Sequence, residues 1–334
     1  MRDQPMRVLI VAPAWVGDMV MAHTLVQLLQ ADHPGCEIHM LAPKSTAILG
    51  TRMSGVTRVH VLDVEHGEFG ARKRWAAGRA MQALGFDQAI VLPNSFKSAW
   101  VPWLAGIPKR TGWLGESRYG LLNDHRRLDK KSHALQVERF MALARTPDQP
   151  LPSPLPKPRL RADPEQATGL TRLFGLSLDQ PVTVLCPGAE FGSSKRWPEQ
   201  HYADVARHIV DTGGQVWLLG SPKDAPVGES IAARVGGVHQ LAGKTTLENA
   251  VDLMSMARRV ICNDSGLMHV AAALDVPVIA LYGSTSPDFT PPMSERADIL
   301  RLGLPCSPCF QRECPLGHLD CLRKLAPAQV IRLL

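Results

Sequence analysis

No stretch of this 334-residue chain approaches the ~18 uninterrupted apolar residues that a membrane span requires. The two best runs, Val8–Val16 and Val276–Leu281, are short and are broken by Pro13 and Pro277. The Met-Arg-Asp-Gln-Pro start carries no apolar core of a signal peptide, so the expectation is a cytoplasmic protein. Aromatic residues make up only 5 % of the chain, and no nucleic-acid-binding motif accompanies the net charge of +6, which argues against a nucleic-acid partner. Two nucleotide signatures are also missing. Only Gly17 stands where a G-x-G-x-x-G would follow the first strand, and G-x-x-x-x-G-K-[ST] occurs nowhere, which argues against a dinucleotide dehydrogenase and a P-loop ATPase.

What is present is an ordinary globular composition, 45 % hydrophobic and 20 % charged, at a length that suggests two domains. The charge is unevenly placed. Residues 1–150 hold 19 Lys and Arg against 13 Asp and Glu, whereas residues 151–334 hold 18 of each. Such asymmetry suggests that one half meets an anion, although counts alone favour chance scatter of a few surface charges. Of seven cysteines, Cys36, Cys186 and Cys262 are scattered and read as reduced, buried thiols.

The pattern alternates apolar runs with amphipathic ones. Arg7–Ala12 reads as a strand, Met19–Asp32 as a helix, Glu37–Leu41 as a strand, Lys44–Met53 as a helix and Arg58–Leu62 as a strand. Arg72–Leu84 reads as a helix and Gln88–Leu92 as a strand. Six prolines between Pro147 and Pro158 favour extended geometry and an interdomain linker, placed at 151–162 between a domain 1–150 and a domain 163–334. The last helix is a candidate to pack back on the first domain. The alternation then restarts: strands Pro181–Cys186, Gln215–Leu219, Arg259–Cys262 and Val276–Tyr282, with helices Pro198–Thr212, Ala225–Val235, Leu247–Ala257 and Gly266–Leu274. This predicts two α/β domains with parallel sheets, facing one another across a cleft, with ligands at the carboxyl ends of the strands.

The loops at those ends carry the chemistry. In Pro187–Pro198, Gly188 and Gly192 allow close backbone approach, Ser193 and Ser194 offer hydroxyls, and Lys195 offers a charge suited to phosphate. In Cys262–His269, Asp264 or Ser265 can cap a helix beginning near Gly266, whose free N–H groups suit an anion. His269 lies one helical turn from Ser265 and is equally readable as a phosphate donor or as a buried, satisfied histidine. Tyr282–Phe289, rich in hydroxyls, could line a sugar or be a plain turn. In the first half, Asp18 after Gly17 is a general-base candidate, although its spacing alone favours a helix cap. Asn94, Ser95 and Lys97 form a polar loop, followed by Trp100 and Trp103 with Lys109 and Arg110, a mixture that suits a membrane surface or an ordinary buried helix.

Several strings together make a resemblance specific. Pro13-Ala-Trp-Val-Gly-Asp-Met19, Pro93-Asn-Ser-Phe-Lys-Ser-Ala99, Arg110-Thr-Gly-Trp113 and Arg118-Tyr-Gly-Leu-Leu-Asn-Asp124 resemble the ADP-heptose:lipopolysaccharide heptosyltransferases. So do Pro187-Gly-Ala-Glu-Phe-Gly192, Lys195-Arg-Trp-Pro198 and Asn263-Asp-Ser-Gly-Leu-Met-His-Val-Ala-Ala-Ala273. The likeness runs from Arg7 to Pro292 and is greatest to the branch that adds the second heptose of the inner core. It implies a GT-B fold of two Rossmann-like domains, with the acceptor mainly on the first and the sugar nucleotide mainly on the second. It implies Asp18 as catalytic base in an inverting displacement, and Lys195 on the donor diphosphate. Asp264, Ser265, Gly266 and His269 would hold the phosphates and sugar, Thr245 would lie near the adenine, and Asp224 is the candidate for the donor ribose. The implied partners are ADP-heptose, a Kdo–lipid A acceptor bearing one heptose, and peripherally the inner-membrane surface. Lys97, Lys109, Arg110, Arg118, Arg126 and Arg127 then become acceptor or membrane contacts. Other GT-B-like enzymes, such as a heptosyltransferase of the first-heptose kind or a sugar-nucleotide epimerase, are the alternative.

The chemistry implied needs no cofactor, yet Cys306-x2-Cys309-x4-Cys314-x6-Cys321, with His318 between, has metal-ligand character. A structural zinc, a disulfide staple and plain thiols all remain open on the sequence.

Overall fold

The computed structural model describes residues 5–64 and 67–334. The chain divides into two compact units, one ending at Pro158 and the other beginning at Arg159. The first contains the strands β1 (Arg7–Val11), β2 (Glu37–Pro43), β3 (Arg58–Leu62), β4 (Gln88–Val91), β5 (Lys109–Trp113) and β6 (Asp124–Arg126). The second contains β7 (Val182–Cys186), β8 (Gln215–Leu218), β9 (Val238–Gln240), β10 (Arg259–Asn263), β11 (Val278–Leu281) and β12 (Ala297–Leu300).

Both sheets are parallel throughout, and both have one topology. The first runs β3-β2-β1-β4-β5-β6 and the second β12-β11-β10-β7-β8-β9. Renumbered from its own first strand, each is 3-2-1-4-5-6, the doubly wound Rossmann order, which reverses direction between its first and fourth strands. In the first unit Val8 pairs with Ile38 on one side and with Gln88 on the other. In the second, Thr183 of β7 pairs with Arg259 of β10 and with Val216 of β8.

The central strands are buried because helices cover both faces, so they read as continuous apolar runs rather than as alternating ones. Val8, Leu9 and Ile10 are fully buried, as are Val184, Leu185, Val260 and Ile261. One face of the first sheet packs Leu9, Val11, Ala89 and Val91 against Met81, Phe86 and Ile107. One face of the second packs Leu185, Val216 and Ile261 against Tyr202, Val205 and Ile209.

Four strands escape the sequence pattern: β5, β6, β9 and β12. They are short and carry Lys109, Arg110, Asp124, His239 and Asp298, so a neighbouring strand defines them rather than hydrophobic periodicity. The helix expected over Met19–Asp32 is two, Val16–Met21 and His23–Asp32, with Ala22 between them. Only Ala47–Thr51 of the expected Lys44–Met53 helix is α-helical.

Candidate active site

In an open doubly wound sheet the ligand crevice lies beyond the carboxyl ends of the two strands that flank the reversal. In the second unit those strands are β7 and β10, and the loops they feed are the Lys195 loop and the Asp264 loop. The two loops are pinned together by Asn263, which is fully buried. Its Nδ2 donates to Pro187 O at 2.7 Å, and its Oδ1 accepts from the Trp197 amide and the Tyr202 hydroxyl, both at 3.1 Å. A buried amide with both ends engaged fixes loop spacing without an unpaired group.

Lys195 Nζ meets Asp264 Oδ2 at 2.7 Å, and their side chains are only 14 % and 4 % exposed. The ammonium also stands 5.0 Å from the centre of the Phe191 ring. Asp264 accepts a second hydrogen bond from Thr285 Oγ1 in the loop after β11. Asp264, which is hard to reconcile with a neighbouring phosphate as a direct ligand, is thus the partner that positions Lys195. His269 is buried beside this pair, and burial pushes its pKa down to about 4. At neutral pH the imidazole is therefore uncharged and still able to donate one N–H.

Ser265 stands at the N-cap of the helix Gly266–Ala273, but no side chain caps this terminus. Its hydroxyl faces Cys262 Sγ at 3.2 Å instead. First-turn N–H groups without a side-chain cap form an anion site by geometry and by helix dipole.

The other residues expected on the donor separate into two kinds. Ser193 is exposed and Thr245 half-buried, and both follow strands of this sheet at its carboxyl edge. Ser194 is turned inward: its Oγ donates to Gln311 O at 2.5 Å and stands 3.0 Å from the Ser284 hydroxyl. Asp224 is also buried, and its Oδ2 accepts from the Ser221 amide at 2.9 Å and the Ser221 hydroxyl at 2.7 Å. Its carboxylate lies where a Cβ on Gly188 would come within 2.2 Å, so Gly188 is required by close packing. Both side chains therefore build the loop from behind.

In the first unit β1 and β4 flank the reversal. Asp18 follows β1, in the first turn of the helix Val16–Met21, where a carboxylate is favoured by the dipole. The N-cap position belongs to Trp15, so the capping role that spacing favoured for Asp18 does not apply. Asn94, Ser95 and Lys97 follow β4, with Ser95 at the start of the short turn Phe96–Ala99.

The basic residues of this unit do two different things. Arg118 is completely buried. It donates to Pro93 O at 2.7 Å, to Ser98 Oγ at 3.2 Å and to Trp113 O, and burial lowers its pKa to about 10. It shapes the loop that presents Asn94, whose Oδ1 it reaches at 3.5 Å. Arg110 donates to Leu121 O at 2.7 Å and Ile107 O at 2.6 Å, and Arg126 pairs with Asp124 at 2.8 Å. The guanidinium groups of Arg110, Arg118 and Arg126 are thus engaged within the fold. Lys109 and Arg127 stay exposed, and Lys97 reaches Glu68 O at 3.2 Å.

A family model, glycosyltransferase family 9 (heptosyltransferase), matches residues 74–320. The chain belongs to glycosyltransferase family 9. It is 44 % identical to lipopolysaccharide heptosyltransferase 2 of Escherichia coli strain K12, across 98 % of this chain and 97 % of that one. It is 45 % identical to lipooligosaccharide heptosyltransferase 2 of Haemophilus influenzae, across 89 % of each. The solved structure of E. coli ADP-heptose lps heptosyltransferase II superposes with a TM-score of 0.88 at 42 % identity, covering 98 % of this chain and 97 % of that one. The two Rossmann-like sheets are those of the GT-B glycosyltransferases in this family.

Sequence reasoning singled out the loop after β11 for its hydroxyls without singling out Thr285. The Lys195–Asp264 partnership joins residues 69 positions apart in sequence, which no local spacing reveals. Asn263 sits inside a quoted motif, yet only its four hydrogen-bond contacts show what it does.

Proposed function

We propose that this glycosyltransferase moves heptose from ADP-heptose to the first heptose of the lipopolysaccharide inner core, with inversion at the anomeric carbon. The observation that carries the reading is the Lys195–Asp264 pair set beside an uncapped helix N-terminus and a neutral His269 at one strand reversal. That combination suits a leaving diphosphate. A point charge, oriented N–H groups and a neutral donor meet the negative charge that develops as the glycosidic phosphate bond breaks. Ser193, Ser265 and Gly266 complete the donor contacts, and Thr245 lies toward the adenine. The names and near full-length coverage of the relatives support the donor and acceptor class.

Asp18 is the general base. The acceptor hydroxyl oxygen attacks the anomeric carbon, its proton passes to the Asp18 carboxylate, and the electron pair of the breaking bond leaves with ADP. Asn94, Ser95 and Lys97 hold the anionic acceptor, while Arg118 and Arg110 keep their loops in shape; Lys109, expected among these contacts, opens β5 at the amino edge of the sheet, away from them. The acceptor is lipid-linked, so peripheral contact with the inner-membrane surface belongs to this unit. Phe69, Phe96 and Trp103 are exposed there, and Phe69 and Phe96 pack on Trp100 at 4.8 and 6.2 Å between ring centres.

The test is Asp18→Asn. Proton transfer by a positioned base contributes roughly 100- to 10,000-fold, so transfer should fall by that factor while ADP affinity stays near wild type. Near-normal turnover in the variant would remove Asp18 from the mechanism.

A further inference from the structure

Residues 301–319 form neither helix nor strand, yet they are tied to the loop that carries Lys195. The Ser194 amide donates to Arg312 O at 3.1 Å, and the Phe310 amide to Ser284 O at 2.7 Å. Ser307 Oγ donates to Gly283 O. Gly192 lies so close that a Cβ there would come within 2.2 Å of Arg312 O. A long irregular segment holding two donor-side loops needs something to hold it in turn.

Next to these contacts lies a cavity of about 20 Å³, lined by Cys306, Cys309, Cys314 and Cys321 together with His318 and Ser194. Such a volume suits one water-sized or ion-sized body. All four thiols are free. Three come from the irregular segment and the fourth from the helix Asp320–Arg323. Cys314 Sγ accepts the Leu319 amide at 3.4 Å, an outer contact of the kind that orients a sulfur ligand. His318 Nδ1 accepts the Asp320 amide at 3.0 Å, which leaves the four sulfurs as a uniform donor set. Nothing in glycosyl transfer uses these residues.

We propose that Cys306, Cys309, Cys314 and Cys321 bind one zinc ion as a closed tetrathiolate site that staples residues 301–319 beneath the Lys195 loop. Four cysteine thiols lining one cavity offer the donor set of a structural zinc centre. Among the described residues, no group of three or more His, Cys, Asp or Glu side chains is already arranged to hold a metal ion. The sulfurs ring the cavity, and the ion draws the irregular segment inward. Each thiol gives its proton to solvent as it ligates, so binding strengthens as pH rises.

The wild-type chain, purified anaerobically with reductant and without chelator, is assayed for zinc. The metal-free chain is then titrated with Co(II) and followed by thiolate-to-cobalt absorption. The expected result is one zinc per chain and a thiolate–cobalt band that zinc abolishes. Cys306→Ser/Cys309→Ser should lose both, whereas Cys36→Ser, outside the cluster, should keep them. Zinc far below one equivalent with no thiolate–cobalt band on the intact wild type would overturn the site. A disulfide among the four in the same anaerobic protein, seen by non-reducing mass spectrometry, would overturn it too.

Discussion

Lys195 has one partner in the free chain and, in the proposed function, a second in the donor diphosphate. In the free chain its ammonium is held by Asp264, itself held by Thr285. Removing one member of a buried pair leaves the other charge exposed to a poor solvent, a loss of about 3–5 kcal/mol in the general case. Lys195→Ala should therefore lower stability as well as affinity. A charge-assisted hydrogen bond contributes about 2 kcal/mol, which corresponds to roughly 30-fold in affinity. Calorimetry should show ADP binding weakened by about that factor. Unchanged ADP affinity would remove Lys195 from the diphosphate site. Arg118 shows the opposite case at the same scale. Its sequence neighbours resemble an acceptor motif, but the side chain is fully buried and holds carbonyl groups. Exposure separates a charge that binds from a charge that builds, and exposure is not written in local sequence.

At the scale of elements, the strand reversals place the site. The strong central strands β1, β4, β7 and β10 are buried apolar runs, which is why their loops were legible in sequence. β9 has the sequence Val238-His-Gln240 and β6 has Asp124-His-Arg126, too short and too polar to announce themselves. The contact between the Lys195 loop and residues 301–319 was likewise hidden, because it joins distant backbone through Gly192. That contact can be tested by steric means. Gly192 has extended backbone geometry, so the demand for glycine comes from space and not from φ. Gly192→Ala must push Arg312 O aside, and backbone yields poorly. Overpacking of this kind costs about 1–3 kcal/mol, which denaturant unfolding should show, together with weaker ADP binding. If neither changes, the segment does not support the donor loop.

At the scale of the molecule, two units of one topology are distinguished by charge. The excess of six positive charges lies within residues 1–150. Arg110, Arg118 and Arg126 contribute to that count while engaged inside the fold, so the asymmetry overstates the charge offered to an acceptor. Half-buried Lys97 follows β4 and exposed Arg127 follows β6, both at the carboxyl edge of the sheet, whereas Lys109 opens β5 at the amino edge beside Asp124. The alternation of strands and helices made the two doubly wound sheets legible. The proposal of Asp18 as base rests on the resemblance, and the pairing of Lys195 with Asp264 on a distance in the fold.

The most direct measurement is incubation of the wild-type protein with ADP-heptose and a Kdo–lipid A acceptor that carries one heptose. The expected result is one heptose added per acceptor, ADP released in equal amount, and inverted configuration at the new glycosidic carbon. Absence of transfer by folded protein, or a retained configuration, would contradict the proposed function at its centre.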